Sequence, residues 1–214
     1  MTGHVVGAER DVRRVYALTS LLLRYPDDSL RDRMGDVRAG VDGLAQPLRG
    51  QLQPVVDWLT AVDQLTAQEH YVAVFDRTRK ACLYLSYYLN GDTRRRGMAL
   101  VGFKELYRAD GWDVSDEELP DFLPVVLEFG AVGDLDLMVQ LLDAHRAGLE
   151  LLAKVLRQLQ SVYARAAEAV LATLPHDAGA VESALVLAAQ GPPVELVGLE
   201  PFPFDGAATS GARS

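Results

Sequence analysis

Apolar side chains recur at steps of three and four residues along most of the chain, which is the spacing of one face of an α-helix. One such series runs from Leu149 to Leu174, and another runs from Leu48 to Val62. The alternation of apolar and polar residues that marks a half-buried strand is nearly absent. We therefore predict an all-α protein, a single-domain bundle of about eight helices.

Prolines, glycines and capping residues indicate where these helices end. Tyr25 ends the first helix, because a residue that precedes proline avoids the helical conformation. Thr66 and Glu69 have the spacing of a capping box, and the helix that they open is predicted to continue to about Leu89. The predicted helices span about 8–25, 28–39, 48–62, 66–89 and 92–111, then a helix that ends near 129, then 134–146, 149–174 and 178–190.

Three residues have predicted positions at helix starts. Pro54 is expected in the first turn of its helix, and Asp92 is expected to cap the helix that follows Gly91. Ser115 forms a second capping box with Glu118. Outside the helices, we expect a flexible N-terminus over 1–7 and a flexible tail over 191–214, which leaves 8–190 as the helical domain.

Composition limits the classes of protein that this chain can be. Hydrophobic residues make up 49% of it, enough for a sizeable core without metals or disulfides. The net charge of −9 argues against general nucleic-acid binding and favours a basic or neutral partner. Cys82 is the only cysteine, and no apolar run has the length of a membrane helix.

The N-terminus has one feature of an export signal. Arg13 and Arg14 precede an apolar stretch that ends at Leu23. This stretch is interrupted by polar residues and lacks a small-residue cleavage site. Because its apolar residues have helical spacing, we favour an amphipathic first helix, and we expect a cytoplasmic protein.

Motifs for catalysis or for cofactor binding are absent. The four histidines do not have metal-ligand spacing with one another or with Cys82. The phosphate-binding loop, the dinucleotide fingerprint and the nucleophile elbow do not occur. We therefore predict no catalytic residue, no metal and no cofactor, while an enzyme whose groups meet only in three dimensions stays an alternative.

Charge is distributed unevenly along the middle of the chain. Basic residues concentrate between 77 and 108, and the stretch 113–136 has eight acidic residues with no lysine or arginine. Large apolar residues, such as Phe122 and Leu123, are interleaved with these acids. Such a segment suits a groove that binds a basic amphipathic peptide. The alternatives are a solvated face and internal pairing with the preceding arginines.

Several stretches of this sequence resemble the NarJ family of nitrate reductase assembly chaperones, within the wider TorD/DmsD group of redox-enzyme maturation proteins. The resemblance covers about residues 15–130 in order and spacing. The stretches are 22–26 (LLRYP), 71–79 (YVAVFDRTR), 91–100 (GDTRRRGMAL), 118–124 (ELPDFLP) and 127–129 (LEF).

The resemblance implies an all-helical, non-enzymatic chaperone of a membrane-bound molybdenum nitrate reductase. It implies that the chaperone binds the N-terminal segment of the catalytic (alpha) subunit, delays membrane docking until the molybdenum cofactor is inserted, and meets cofactor-delivery proteins. It implies neither nucleic-acid binding nor membrane insertion. Alternatives are a related chaperone for another molybdoenzyme with a twin-arginine signal, a small helical nucleotide hydrolase and an oligomeric helical adaptor. The stretch from Pro192 to Phe204 has no counterpart in the family pattern.

The matching motif positions imply two groups of site residues. The expected peptide-binding residues are Tyr107, Glu118, Leu119, Pro120, Asp121, Leu123, Pro124, Leu127 and Glu128. The residues expected to support the groove from behind are Phe75, Asp76, Arg79, Asp92, Arg94 and Arg96.

Overall fold

The computed structural model describes residues 3–113 and 118–175, and within them the chain is helical without β-strands. The predicted all-α class is thus confirmed. A π-helical turn spans Val72–Asp76, and a 3-10 turn spans Arg79–Ala81. The α-helices are α1 (Gly3–Leu22), α2 (Asp28–Asp42), α3 (Leu48–Ala61), α4 (Gln64–Tyr71), α5 (Leu85–Asn90), α6 (Arg94–Ala109), α7 (Leu123–Val132), α8 (Leu135–Ala144), α9 (Arg146–Gln158) and α10 (Ala164–Leu171).

The core forms where α1 packs along α7 and where α10 packs against α9, α3 and α1. Tyr16 on α1 is fully buried there. A Cβ at Gly130 on α7 would lie 2.9 Å from Cδ2 of Tyr16 and 2.6 Å from Cγ of Met138. Glycine at this position therefore allows α1 and α7 to approach closely.

Side-chain carboxylates cap several helices. Asp27 accepts a hydrogen bond from the Leu30 amide at the start of α2, and Asp134 accepts one from the Leu137 amide at the start of α8. Helix α4 is capped by Asp63, which accepts from the Thr66 amide at 3.0 Å. The capping box predicted for Thr66 and Glu69 is therefore wrong, because the N-cap residue lies three residues before Thr66.

The single helix predicted over 66–89 is also wrong, because four shorter elements occupy these residues. Residues 83–85 turn away from a helical path and pair with the segment before α7. The Leu123 amide donates to the Leu83 carbonyl at 2.7 Å, and the Leu85 amide donates to the Asp121 carbonyl at 3.0 Å. These long-range hydrogen bonds replace helical ones. The predicted stop at Gly91 is confirmed, with a positive φ of 57°.

Three other predicted boundaries differ from the structure. The predicted helix 149–174 is two helices, because Gln160 has a left-handed φ of 53° and the chain resumes helical geometry only at Ala164. Pro54 lies inside α3. The N-cap residue of α6 is Thr93, since the Asp92 carboxylate pairs with arginines.

Some predictions fall on residues that the structure leaves undescribed. They are the cap at Ser115, the helix at 178–190 and the tail at 191–214. Helix α1 begins at Gly3, before the predicted start at residue 8. In the described ranges, no helix has the length and apolar character needed to cross a membrane.

Candidate functional site

Two adjoining cavities meet at the loop between α1 and α2. The first has a volume of about 490 Å³ and lies between α1, α2 and α7. The second has a volume of about 430 Å³ and lies between the loop, the π-helical turn and residues 118–122. Arg24, Tyr25 and Asp27 line both cavities, which we call together the Tyr25 cleft.

Tyr25 lies at the centre of this cleft because α1 ends just before it. Pro26 prevents the helix from continuing, and the Tyr25 side chain is 45% exposed. Its ring packs edge-on against Tyr71, with centroids 5.5 Å apart. The Tyr71 hydroxyl in turn donates to the Leu23 carbonyl at 3.1 Å. Tyr25 is thus a supported aromatic surface that faces solvent.

The charges around the cleft are mainly negative. Four carboxylates and two guanidiniums line it. Arg24 pairs with Glu128 at 2.6 Å, and both side chains are about half exposed. Within residues 3–113 and 118–175, Asp76 and Glu118 form no ion pair. The acids are Asp27, Asp76, Glu118 and Glu128, and the cations are Arg24 and Arg33.

Burial and the nearby carboxylates raise the pKa values of two tyrosines that line the second cavity. Burial raises the pKa of Tyr71, and the charges of Asp76 and Glu118 raise it further. Burial also raises the pKa of Tyr84, and the charge of Glu118 adds to the effect. The phenols therefore stay neutral, and the wall between them has a negative potential that favours cations.

The segment that leads to α7 is fixed by a buried carboxylate. Asp121 is fully buried, and one of its oxygens accepts hydrogen bonds from the Ser86 amide at 3.1 Å and the Ser86 hydroxyl at 2.5 Å. From the other side, the Tyr107 hydroxyl donates to the Pro120 carbonyl at 2.6 Å. These bonds hold Glu118 and Phe122 at the rim of the second cavity.

The structure separates the predicted peptide-binding residues into two groups. Glu118, Leu119 and Glu128 are exposed, and the two glutamates line the cleft. The other six side chains are buried and do not line it, because they pack inside the protein. The prediction that these side chains contact a peptide directly is therefore wrong, and they support the cleft from inside the protein. They are Tyr107, Pro120, Asp121, Leu123, Pro124 and Leu127.

The predicted supporting residues also divide. Phe75 and Asp76 line the second cavity directly. Arg79 and Arg96 instead pair with Asp92 at 2.7 and 3.3 Å in a separate surface cluster. Arg94 is exposed at the start of α6 and does not line the cleft.

Sequence reasoning did not assign Arg24, Tyr25, Asp27, Tyr71 or Tyr84 to a site. A signal was nevertheless present. The family-like stretches 22–26 and 71–79 contain Tyr25 and Tyr71, and only the acidic stretch was interpreted as a groove.

The chemistry available in the cleft is that of binding. In the described ranges, no group of three histidine, cysteine or acidic residues is placed to hold a metal ion. Cys82 lines the second cavity, and burial raises the pKa of its thiol, which disfavours the reactive thiolate. The arrangement thus offers carboxylates and aromatic surface to a ligand with positive charge and apolar groups.

Comparisons with known proteins agree on one family. The sequence model of the nitrate reductase delta subunit family matches residues 41–168. The nitrate reductase-like protein NarX of Mycobacterium tuberculosis is 37% identical over 159 residues, 74% of this chain but only 24% of NarX. NarJ of Bacillus subtilis is 29% identical over 165 residues, 77% of this chain and 90% of that protein.

Two further similarities point to the same family. The nitrate reductase molybdenum cofactor assembly chaperone NarJ of Escherichia coli is 34% identical over 150 residues, 69% of this chain and 64% of that protein. A redox enzyme maturation protein from Archaeoglobus fulgidus has a similar structure, with a TM-score of 0.56 and 28% identity over 74% of this chain and 90% of that one. The resemblance drawn from the sequence is confirmed, and the chain belongs to the nitrate reductase delta subunit family.

Proposed function

We propose that this protein is an assembly chaperone that assists molybdenum cofactor insertion into a nitrate reductase, and that it acts by binding rather than by catalysis. The family match over 41–168 and the 34% identity with Escherichia coli NarJ support this function. The binding chemistry of the Tyr25 cleft is compatible with it.

We further propose that the cleft binds the basic N-terminal segment of the reductase catalytic subunit. The observation that carries this proposal is the placement of four carboxylates around the aromatic surface of Tyr25, Phe75 and Phe122. An amphipathic helix would bury its apolar face on these rings, while its lysines or arginines would pair with Asp76 and Glu118. Arg24 already occupies Glu128, so a basic residue of the segment would compete with it there.

Binding of this kind regulates assembly by mass action. While the segment occupies the cleft, its free concentration for docking to the membrane partner falls. No bond has to form or break. Release follows when a folded, cofactor-loaded subunit binds its next partner more tightly than the chaperone does.

Calorimetry with a synthetic peptide of the catalytic subunit N-terminus tests the cleft. We expect an Asp76→Lys, Glu118→Lys double variant to bind at least about tenfold more weakly, because two attractive carboxylates become repulsive cations. We also expect the wild-type affinity to fall as salt is added.

The matched control is a double variant with the same change in net charge at two positions outside the cleft. Asp36 on α2 and Glu105 on α6 are exposed and do not line the cleft, so an Asp36→Lys, Glu105→Lys variant should retain nearly full affinity. If both double variants lose affinity alike, net charge rather than the cleft determines binding, and the site is wrong.

Co-purification from the native host identifies the client, and recovery of a different molybdoenzyme would replace nitrate reductase in the proposal.

A further inference from the structure

A third cavity, separate from the Tyr25 cleft, opens where the junction between α9 and α10 meets α3 and α4. It has a volume of about 500 Å³. Its walls combine aromatic rings with charged side chains and polar groups from the junction. We call it the Trp58 cavity. Its lining includes Trp58, His70, Arg157, Gln160, Arg165 and Glu168.

One wall of the Trp58 cavity is a pair of fixed aromatic rings. The Trp58 and His70 rings lie 4.9 Å apart, and the His70 ring stacks on buried Tyr163 with an interplanar angle of 17°. His70 Nε2 lies 2.9 Å from the Ser161 hydroxyl, which fixes the orientation of the imidazole. A half-buried indole held in this way offers a rigid flat surface at low entropic cost.

The lining of the cavity also contains two guanidiniums that share one carboxylate. Arg157 contacts Glu168 at 2.8 Å, and Arg165 contacts it at 3.1 Å. Each arginine side chain is more than half exposed, whereas Glu168 is 16% exposed. Since one carboxylate balances only one of the two charges, the cavity retains a positive charge in a protein whose net charge is −9.

The backbone of the α9–α10 junction is unusual. Gln160 has a left-handed conformation, which a residue with a long side chain rarely adopts. This conformation ends α9 and places Gln160 and Ser161 on the cavity wall. The Ser161 amide closes this helix end by donating to the Leu156 carbonyl at 3.0 Å, and the resulting turn fixes the junction residues at the cavity.

We propose that the Trp58 cavity binds a phosphate ester of a flat heteroaromatic group, the chemistry of a nucleoside monophosphate. The ring would lie on Trp58, and the phosphate would accept hydrogen bonds from Arg157 and Arg165. Guanidiniums match phosphate oxygens in a two-pronged geometry, which favours a phosphate over a neutral group. The site is independent of the cleft, and its ligand is independent of the reductase segment.

Binding is tested by tryptophan fluorescence and calorimetry. The chain contains two tryptophans, so in a Trp112→Phe background the emission reports Trp58 alone. Guanosine and adenosine 5′-monophosphate are titrated, with emission corrected for nucleotide absorbance. Guanosine, adenosine and inorganic phosphate at equal concentrations are the controls. We expect saturable quenching by both monophosphates and binding at least about tenfold weaker for either the nucleosides or inorganic phosphate.

Two variants separate binding from a structural role. Arg157→Gln with Arg165→Gln should weaken binding at least about tenfold, whereas Arg10→Gln with Arg95→Gln removes the same charge elsewhere and should not. Glu168→Gln should tighten binding several-fold, because it frees both guanidiniums. If the arginines served only to tie α9 to α10, the Glu168 variant would weaken binding or leave it unchanged. Circular dichroism and thermal unfolding establish that each variant folds.

The proposal is overturned by any of four results. These are no saturable response to either monophosphate, equal affinity for inorganic phosphate, unchanged affinity in the Arg157 and Arg165 double variant, and weaker or unchanged affinity in the Glu168→Gln variant. Loss of peptide binding by the Asp76 and Glu118 variant has no bearing on it, so failure of one site is distinguishable from failure of the other.

Discussion

At the scale of single residues, Tyr163 is a buried side chain that lies between the two candidate sites. It is fully buried, and its ring contacts His70 behind the Trp58 cavity. On its other sides, the ring contacts Phe75 at 5.0 Å and Tyr71 at 6.0 Å, behind the Tyr25 cleft. A continuous set of aromatic rings thus separates two surfaces of opposite charge, and its role is packing.

The Tyr163 hydroxyl has no hydrogen-bond partner among the described residues. A buried hydroxyl without a partner costs free energy, and its removal leaves the ring packing intact. We therefore expect Tyr163→Phe to raise the free energy of unfolding by about 1 kcal/mol. Denaturant unfolding of wild type and variant measures the difference, and a lower stability in the variant would show that the hydroxyl has a partner.

At the scale of elements, the Tyr25 cleft depends on the 118–122 segment, which leads into α7 and is held against the start of α5 by hydrogen bonds. Asp121 in this segment accepts a hydrogen bond from the Ser86 amide in the first turn of α5, and the segment also pairs with residues 83–85 by backbone hydrogen bonds. The Ser20 hydroxyl on α1 donates to the Pro124 carbonyl at 2.7 Å and links the same region to the first helix. The rim of the cleft is therefore positioned by a buried polar network rather than by exposed contacts.

Removal of the Asp121 carboxylate tests this network. Asp121→Ala leaves the buried Ser86 amide without its side-chain acceptor, so we expect a loss of about 2–3 kcal/mol in the free energy of unfolding. Because Glu118 and Phe122 would lose their support, peptide affinity should fall as well. Asp121→Asn keeps an acceptor oxygen and should lose less of both. Equal effects of the two variants in thermal unfolding would contradict an acceptor role.

The sequence predicted the helical elements well where local signals end them. Gly91 ends α5 through its own backbone preference, which is visible in a single sequence, whereas α1 ends at Leu22, three residues before the predicted end at Tyr25. The breaks at residues 83–85 and after Gln158 were missed. The first depends on hydrogen bonds to residues about forty positions away, and the second depends on a left-handed glutamine.

The candidate site was predictable only in part for the same reason. The acidic stretch identified Glu118 and Glu128 from composition, and the structure places both at the cleft. Spacing alone did not show that α7 would be buried on nearly all sides, which removes Leu123 and Leu127 from the surface. Arg24 and Tyr25 come from a distant part of the chain, and only tertiary packing brings them to these acids.

At the scale of the whole molecule, two histidines make folding sensitive to pH. Burial lowers the pKa of His145, whose Nδ1 donates to the Leu141 carbonyl at 2.8 Å. Burial also lowers the pKa of His70, which lines the Trp58 cavity. Both imidazoles are thus held in the neutral form in the folded protein, on two separate helix junctions.

The sign of the resulting pH dependence follows from these directions. A histidine with a lowered pKa binds fewer protons in the folded state than in the unfolded state, so stability is complete above the ordinary value of 6.5 and falls as the pH drops below it. Asp57 and Asp63 also have lowered pKa values, but their contributions to stability are lost only below their ordinary value of 3.8.

We therefore expect the melting temperature to be constant above about pH 7 and to decrease between about pH 6.5 and pH 5. In a His70→Asn, His145→Asn variant, calorimetric melting should show a smaller decrease over that range. An equal decrease in the variant would assign the acid sensitivity to other groups, because no proton uptake by these two histidines would then be involved.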